Sequence, residues 1–140
     1  MMTIGPELAL AQLAATLAFA DAGAQPSAIL LYADPAVATG AAPVDAPLAE
    51  IILAKPCATL AAGVLTLHPA DASGAMVLAT GVPRAARWVS GEGYLVAAGT
   101  VTDLDNGGDF TVGGAPTAPG DTAPTLTAGG KVLLGTVVLD

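Results

Sequence analysis

The chain has 140 residues, enough for one domain that buries roughly two thirds of its unfolded surface. Four Lys or Arg stand against twelve Asp or Glu, a net charge of −8 that leaves nothing to neutralise a row of phosphates and excludes nucleic acid as a partner. Cys57 is the single cysteine, which excludes a secreted disulfide scaffold, and the longest apolar stretch, Leu8 to Ala20, is too short to span a bilayer.

Apolar residues make up 54% of the chain but aromatics only 4%, so the core must be built from Ala, Val, Leu and Ile. Such a core buries little area per residue, and its stability is expected to lean on neighbours. Only 11% of residues are charged and the mean hydropathy is +0.68, which predicts that part of the surface is covered by another protein.

Pro6 and Glu7 suit the first turn of a helix, the one by its fixed φ and the other by complementing the helix dipole. Leu8, Leu10, Leu13, Leu17 and Phe19 give it a broad apolar stripe, and Gly23 is placed to stop it, so the helix is expected near Pro6 to Ala22. Ala20 to Ala24 imitates the cleavage site of a signal peptide. No Lys or Arg precedes it and Glu7 occupies the position of the positive region, so a real helix is the expectation.

Beyond Ala24 the texture changes to short apolar runs between turn residues. Strands are predicted at Ala28 to Tyr32 between two prolines, at Leu48 to Leu53 closed by Pro56, and at Val64 to His68. Further strands follow at Met76 to Ala79, Ala85 to Val89, Tyr94 to Thr102, Phe110 to Val112 and Val132 to Leu139, the last with Gly135 as a bulge. About eight short strands with turn signals at this spacing predict a mainly β fold, an antiparallel, jelly-roll-like sandwich with one N-terminal helix. Residues 1–24 carry the helix and 25–140 the sandwich, as one domain. Gly113 to Gly130, rich in Gly, Pro, Thr and Ala, reads as a long loop or extended arm.

No coherent catalytic set emerges, and the chain is not expected to be an enzyme. His68 is the only histidine, alternating with Val64 and Thr66 as a surface or edge residue does, and no activating helix start lies near Cys57. In "DLDNGGD", Asp103 and Asp105 match the first two ligand positions of a calcium loop. Gly107 and Gly114 stand where further ligands belong, so an acidic hairpin turn around Asn106-Gly107 is expected, with Asp103, Asp105 and Asp109 holding no metal. "GEGYLVAAG" lacks the strand and helix that a nucleotide-binding loop needs, and no cofactor is expected. "RAARW" admits two readings. Arg84, Arg87 and Trp88 are either interface anchors or a core Trp capped by two arginines at the sheet rim.

The order of "FADAGAQPSAILLYADPAVATGAAP", "LAEIILAKP", "AAGVLTLHPADASGAM", "ARWVSGEG", "GGDFTVGG" and "AGGKVLLGTVVLD" resembles the capsid cement, or decoration, protein family of phages and prophages, including short-tailed Bordetella phages. The likeness runs from about Leu8 to Leu139, while "ATGVPRAARWVSGEG" is longer than the family's usual stretch before the Trp. It implies a jelly-roll-like virion protein, made in the host bacterial cytoplasm, that binds the capsid exterior and bridges major capsid proteins. It implies no catalytic residues. A receptor- or carbohydrate-binding module of a tail or head fibre is the alternative.

Two proline-braced segments, about Ala33 to Pro47 and Gly113 to Gly130, are cheap to order against a partner. Together with Arg84 to Trp88 they are expected to supply the contacts, through Pro35, Val37, Thr39, Pro43, Arg84, Arg87, Trp88, Pro116, Pro119 and Pro124. Self-association as a homodimer or higher homo-oligomer is expected as well, as the commonest cover for apolar surface.

Overall fold

Pro6 and Glu7 open the helix where their chemistry places it, giving α1 over Pro6–Ala20. In this computed structural model, which describes residues 2–139, α1 ends two residues before the expected Ala22. Asp21 is the cap residue, its N–H donating to Leu17 O, and Gly23, with φ +89°, serves the turn that follows.

Nine strands follow: β1 (Ala28–Tyr32), β2 (Ala49–Ala61), β3 (Val64–Pro69), β4 (Ala75–Met76), β5 (Ala85–Val89), β6 (Leu95–Thr102), β7 (Phe110–Gly113), β8 (Lys131–Leu134) and β9 (Val138–Leu139). They form one curled sheet in the order β4-β8-β7-β6-β5-β1-β2-β3-β9. The chain is thus mainly β with a single N-terminal helix, as its turn spacing predicts. Neighbouring strands are antiparallel apart from β6 and β7, which run parallel through Val101–Phe110 and Thr102–Thr111.

Three boundaries differ from the sequence reading. Pro56 does not close β2: the strand continues to Ala61, and the register slips between Leu53 and Ala58, so a residue with no N–H to donate falls where the ladder is already interrupted. The fourth strand shrinks to Ala75–Met76. The last predicted strand is two, β8 and β9, broken at Gly135, where a Cβ would come within 2.4 Å of Thr111 Oγ1.

The concave side holds the core. Ile29 lies between Ile51 and Trp88 in the ladder, Leu31 lies between Ala49 and Ala86, and Leu53, Leu65, Val112 and Val132 complete it. α1 lies across one end of the curled sheet, touching β2, β3 and β6, with Leu13 and Ala20 in the core. The register of β1 on β5, Ala28 opposite Val89 and Tyr32 opposite Ala85, fixes two ends. At the helix end, Gly91 N–H donates to Ala20 O at 3.0 Å. At the far end lie the two proline-braced segments.

Candidate interaction surface

The first segment is not structureless. Asp34 Oδ1 accepts the Ala36 N–H at 2.9 Å, Pro35 supplies a preset φ, and Gly40 closes at φ +90°, making a 3-10 helix over Pro35–Thr39. This turn packs on β5 and β6. Val37, expected at an interface, is instead 1% exposed and packs with Tyr32 and Ala85 in a second small core. A Val with both methyls enclosed by its own chain has nothing left to offer a partner. Pro35 and Thr39 are exposed, Pro43 is half-buried, and Val44 is 90% exposed.

The second segment is folded back onto the domain and is no free arm. Arg84 grips Asp121 through two hydrogen bonds, Nη1 to Oδ1 at 2.6 Å and Nη2 to Oδ2 at 3.0 Å. Arg84 is itself fixed in the sheet, its N–H donating to Tyr32 O and its carbonyl accepting from Val101 N. The guanidinium, with the Thr122 and Ala123 N–H groups, holds the Asp121 carboxyl down at about 2. Leu126 pairs with Gly81 and is fully buried, and Thr117 pairs with Pro124. Pro124 is therefore a core residue, a second correction to the expected contact set, while Pro116 and Pro119 stay exposed.

Within "RAARW" the core reading is right for Trp88, which is 2% exposed against Ile29 and Ala97. Its indole N–H and the Arg87 Nε are buried with no hydrogen-bond partner among the described residues. Arg87 is half-buried between Leu30 and Ala98. Arg84 caps nothing: it clamps the loop that carries Asp121.

The three acidic residues of the turn diverge. Asp103 accepts from Thr117 Oγ1 at 2.7 Å and Asn106 Nδ2 at 2.7 Å, donors that hold its carboxyl below the usual range. Asp109 instead accepts the Thr100 N–H and hydroxyl at 3.0 and 3.1 Å, and Asp105 is exposed. Among the described residues no three His, Cys, Asp or Glu side chains gather as a metal site would require. His68 Nε2 lies 2.7 Å from Thr59 Oγ1 on the exposed side of the β2–β3 hairpin.

The helix end is latched by residues that sequence reasoning passed over. Asp21 accepts the Cys57 N–H at 3.1 and 3.2 Å, and Lys55 Nζ donates to the Asp21 and Gly23 carbonyls that α1 leaves open. Beneath them the Cys57 thiol is pushed up to about 11, first by burial and further by Asp21. Phe19, expected in the inward stripe, points outward, 47% exposed with its ring 6.2 Å from that of Tyr94. At 100° per residue Phe19 and Leu8 fall opposite Leu13 and Leu17, a signal the broad stripe obscured.

Among the described residues no helix is long and apolar enough to cross a membrane. Comparison of the chain with protein-family models, with curated proteins and with solved structures finds no match.

Proposed function

We propose that this chain is a capsid cement, or decoration, subunit. It seats the end of the sheet opposite α1 on the outer surface of an icosahedral phage head and stabilises contacts between major capsid proteins. The supporting observation is the convergence of the two proline-braced segments on Arg84 and Ala85. One segment is pinned through Val37 and the other through Asp121, which brings exposed Pro35 and Thr39 and exposed Pro119 to the same end of the sheet, its rim. A rim fixed by its own core before contact forfeits little entropy on binding. Its exposed carboxylates, Asp34, Asp45 and Asp105, suit a basic shell surface. The family resemblance in the sequence supplies the kind of partner.

The test uses purified full-length chain and phage heads assembled without it. The chain should sediment with the heads and raise the temperature at which they release DNA. Deleting Ala41 to Val44, which spares Val37 and the Gly40 that closes its turn, should leave the isolated domain folded and weaken retention at least tenfold. Full retention of that variant would remove the rim from the contact, and failure of the intact chain to bind any head would refute the function.

A further inference from the structure

Asn106 is the only asparagine of the chain, and Gly107 follows it in the turn between β6 and β7. In this pair the backbone nitrogen after the asparagine can attack the side-chain amide, because glycine has no Cβ to crowd the approach. Whether a folded chain permits the attack depends on how the pair is held. Here Asn106 is exposed, and a Cβ built on Gly107 would meet no atom within 4 Å. Gly107 has φ +63°, a left-handed conformation that a residue with a Cβ would resist. The N–H groups around it are tied: Asp105 donates to Asp103 Oδ1 at 3.1 Å and Gly108 to Thr102 Oγ1 at 2.7 Å. Among the described residues the Gly107 N–H itself donates to no acceptor, so the attacking nitrogen is free. The amide it would attack donates from Nδ2 to Asp103 Oδ1 at 2.7 Å and leaves its carbonyl oxygen to water.

We infer that Asn106 is a site of spontaneous covalent modification, converting to aspartate and isoaspartate through a cyclic imide closed by the Gly107 nitrogen. The Gly107 nitrogen loses its proton and bonds to Asn106 Cγ. Nδ2 leaves with that proton as ammonia, and water then opens the ring at either carbonyl. One water is consumed and one ammonia released, with no oxidant or reductant. The change has a consequence because of what Asn106 touches. Asp103 also accepts from Thr117 Oγ1 at 2.7 Å, and its N–H donates to Thr122 O at 2.8 Å, so this turn holds the Gly113 to Gly130 segment at two points. Conversion replaces the Nδ2 donor with a second carboxylate beside that of Asp103, and the two repel. Isoaspartate also adds a carbon to the backbone of a turn that Gly108 closes on Thr102. Both products loosen the hold on Thr117.

The test uses the purified full chain, aged at mildly alkaline pH both folded and in urea, and followed by isoelectric focusing and peptide mapping. With one asparagine the site is unambiguous. The folded chain should gain one negative charge beyond its −8, at a rate within about threefold of the unfolded chain, because an exposed turn opens at little cost in free energy. Isoaspartate should be the larger product, since direct hydrolysis of the amide gives aspartate alone. Asn106→Gln, whose longer side chain closes its ring far more slowly, should stay unconverted. Asn106→Asp, which carries the charge without the ageing, should be cleaved between Gly113 and Gly130 several-fold faster than wild type in limited proteolysis, with circular dichroism unchanged. Conversion more than about tenfold slower in the folded chain, a product of aspartate alone, or equal acidification of Asn106→Gln would each overturn the modification. Cleavage of Asn106→Asp at the wild-type rate would overturn its link to the loop.

Discussion

Val37→Ala separates a contact residue from a core residue. Val37 is 1% exposed, so the change removes two fully buried methyl groups from the cluster with Tyr32 and Ala85. Transfer alone accounts for about 1.6 kcal/mol at ~0.8 kcal/mol per buried carbon. The enclosed space left behind raises the cost to about 2–3 kcal/mol, since the 3-10 turn is held by Asp34 and cannot slide in to fill it. For a domain of this size that is a fall of about 6–9 °C in Tm. Trp88 is the only tryptophan and lies in the core, so urea unfolding followed by its fluorescence reads the change directly. Val44→Ala, seven residues on and 90% exposed, is the control and should stay within about 0.5 kcal/mol of wild type. If Val37→Ala keeps wild-type stability and only binding suffers, the second core does not hold the rim and the reasoning fails.

Two further outcomes follow from the clamps. The Asp121 carboxyl, lowered from 3.8 to about 2 by Arg84, contributes stability that is fully present above about pH 4 and lost as the pH falls toward 2. Asp121→Asn should therefore show a shallower decline of Tm than wild type across that window, with a rim more open to proteolysis near Pro119 at neutral pH. Cys57, fully buried with its thiol near 11, should resist iodoacetamide at pH 8 in the folded protein and react at once in denaturant. Fast labelling of the native chain would mean that the latch between Asp21 and the Cys57 N–H does not hold.

Local chemistry made much of the fold legible. β1 and β5 lie where Pro26, Pro35 and Pro83 punctuate the chain, because proline fixes its own φ and keeps the residue before it out of the helical region. The start of α1 was equally readable from Pro6 and Glu7. What failed depended on distant residues. Pro56 looked like a stop, but the bulge that tolerates it exists because β2 must pair with β1 along one half and with β3 along the other. The break after β8 comes from the close approach of Gly135 to Thr111, a neighbour no window of sequence contains. Pro35, Pro116 and Pro119, picked out by composition as contact residues, are exposed. Val37 and Pro124 share that composition and are buried. Burial there is decided by Ala85 and by the pairing of Thr117 with Pro124, which are tertiary facts. Asp121 was invisible as a clamp because Arg84 lies 37 residues away.

The placement of α1 and the rim at opposite ends of β1, β5 and β6 has a mechanical consequence. A pull applied between Phe19 at one end and Pro119 at the other runs along the strand axes, a span of about 17 Å in β1. The ladder hydrogen bonds lie across that direction. They resist as a set, in shear, where a pull across the sheet would peel them one pair at a time. Under the proposed function, strain in a phage head would load the domain along this axis. In this chain the stiffest axis of the domain is the one that joins its two outward-facing ends.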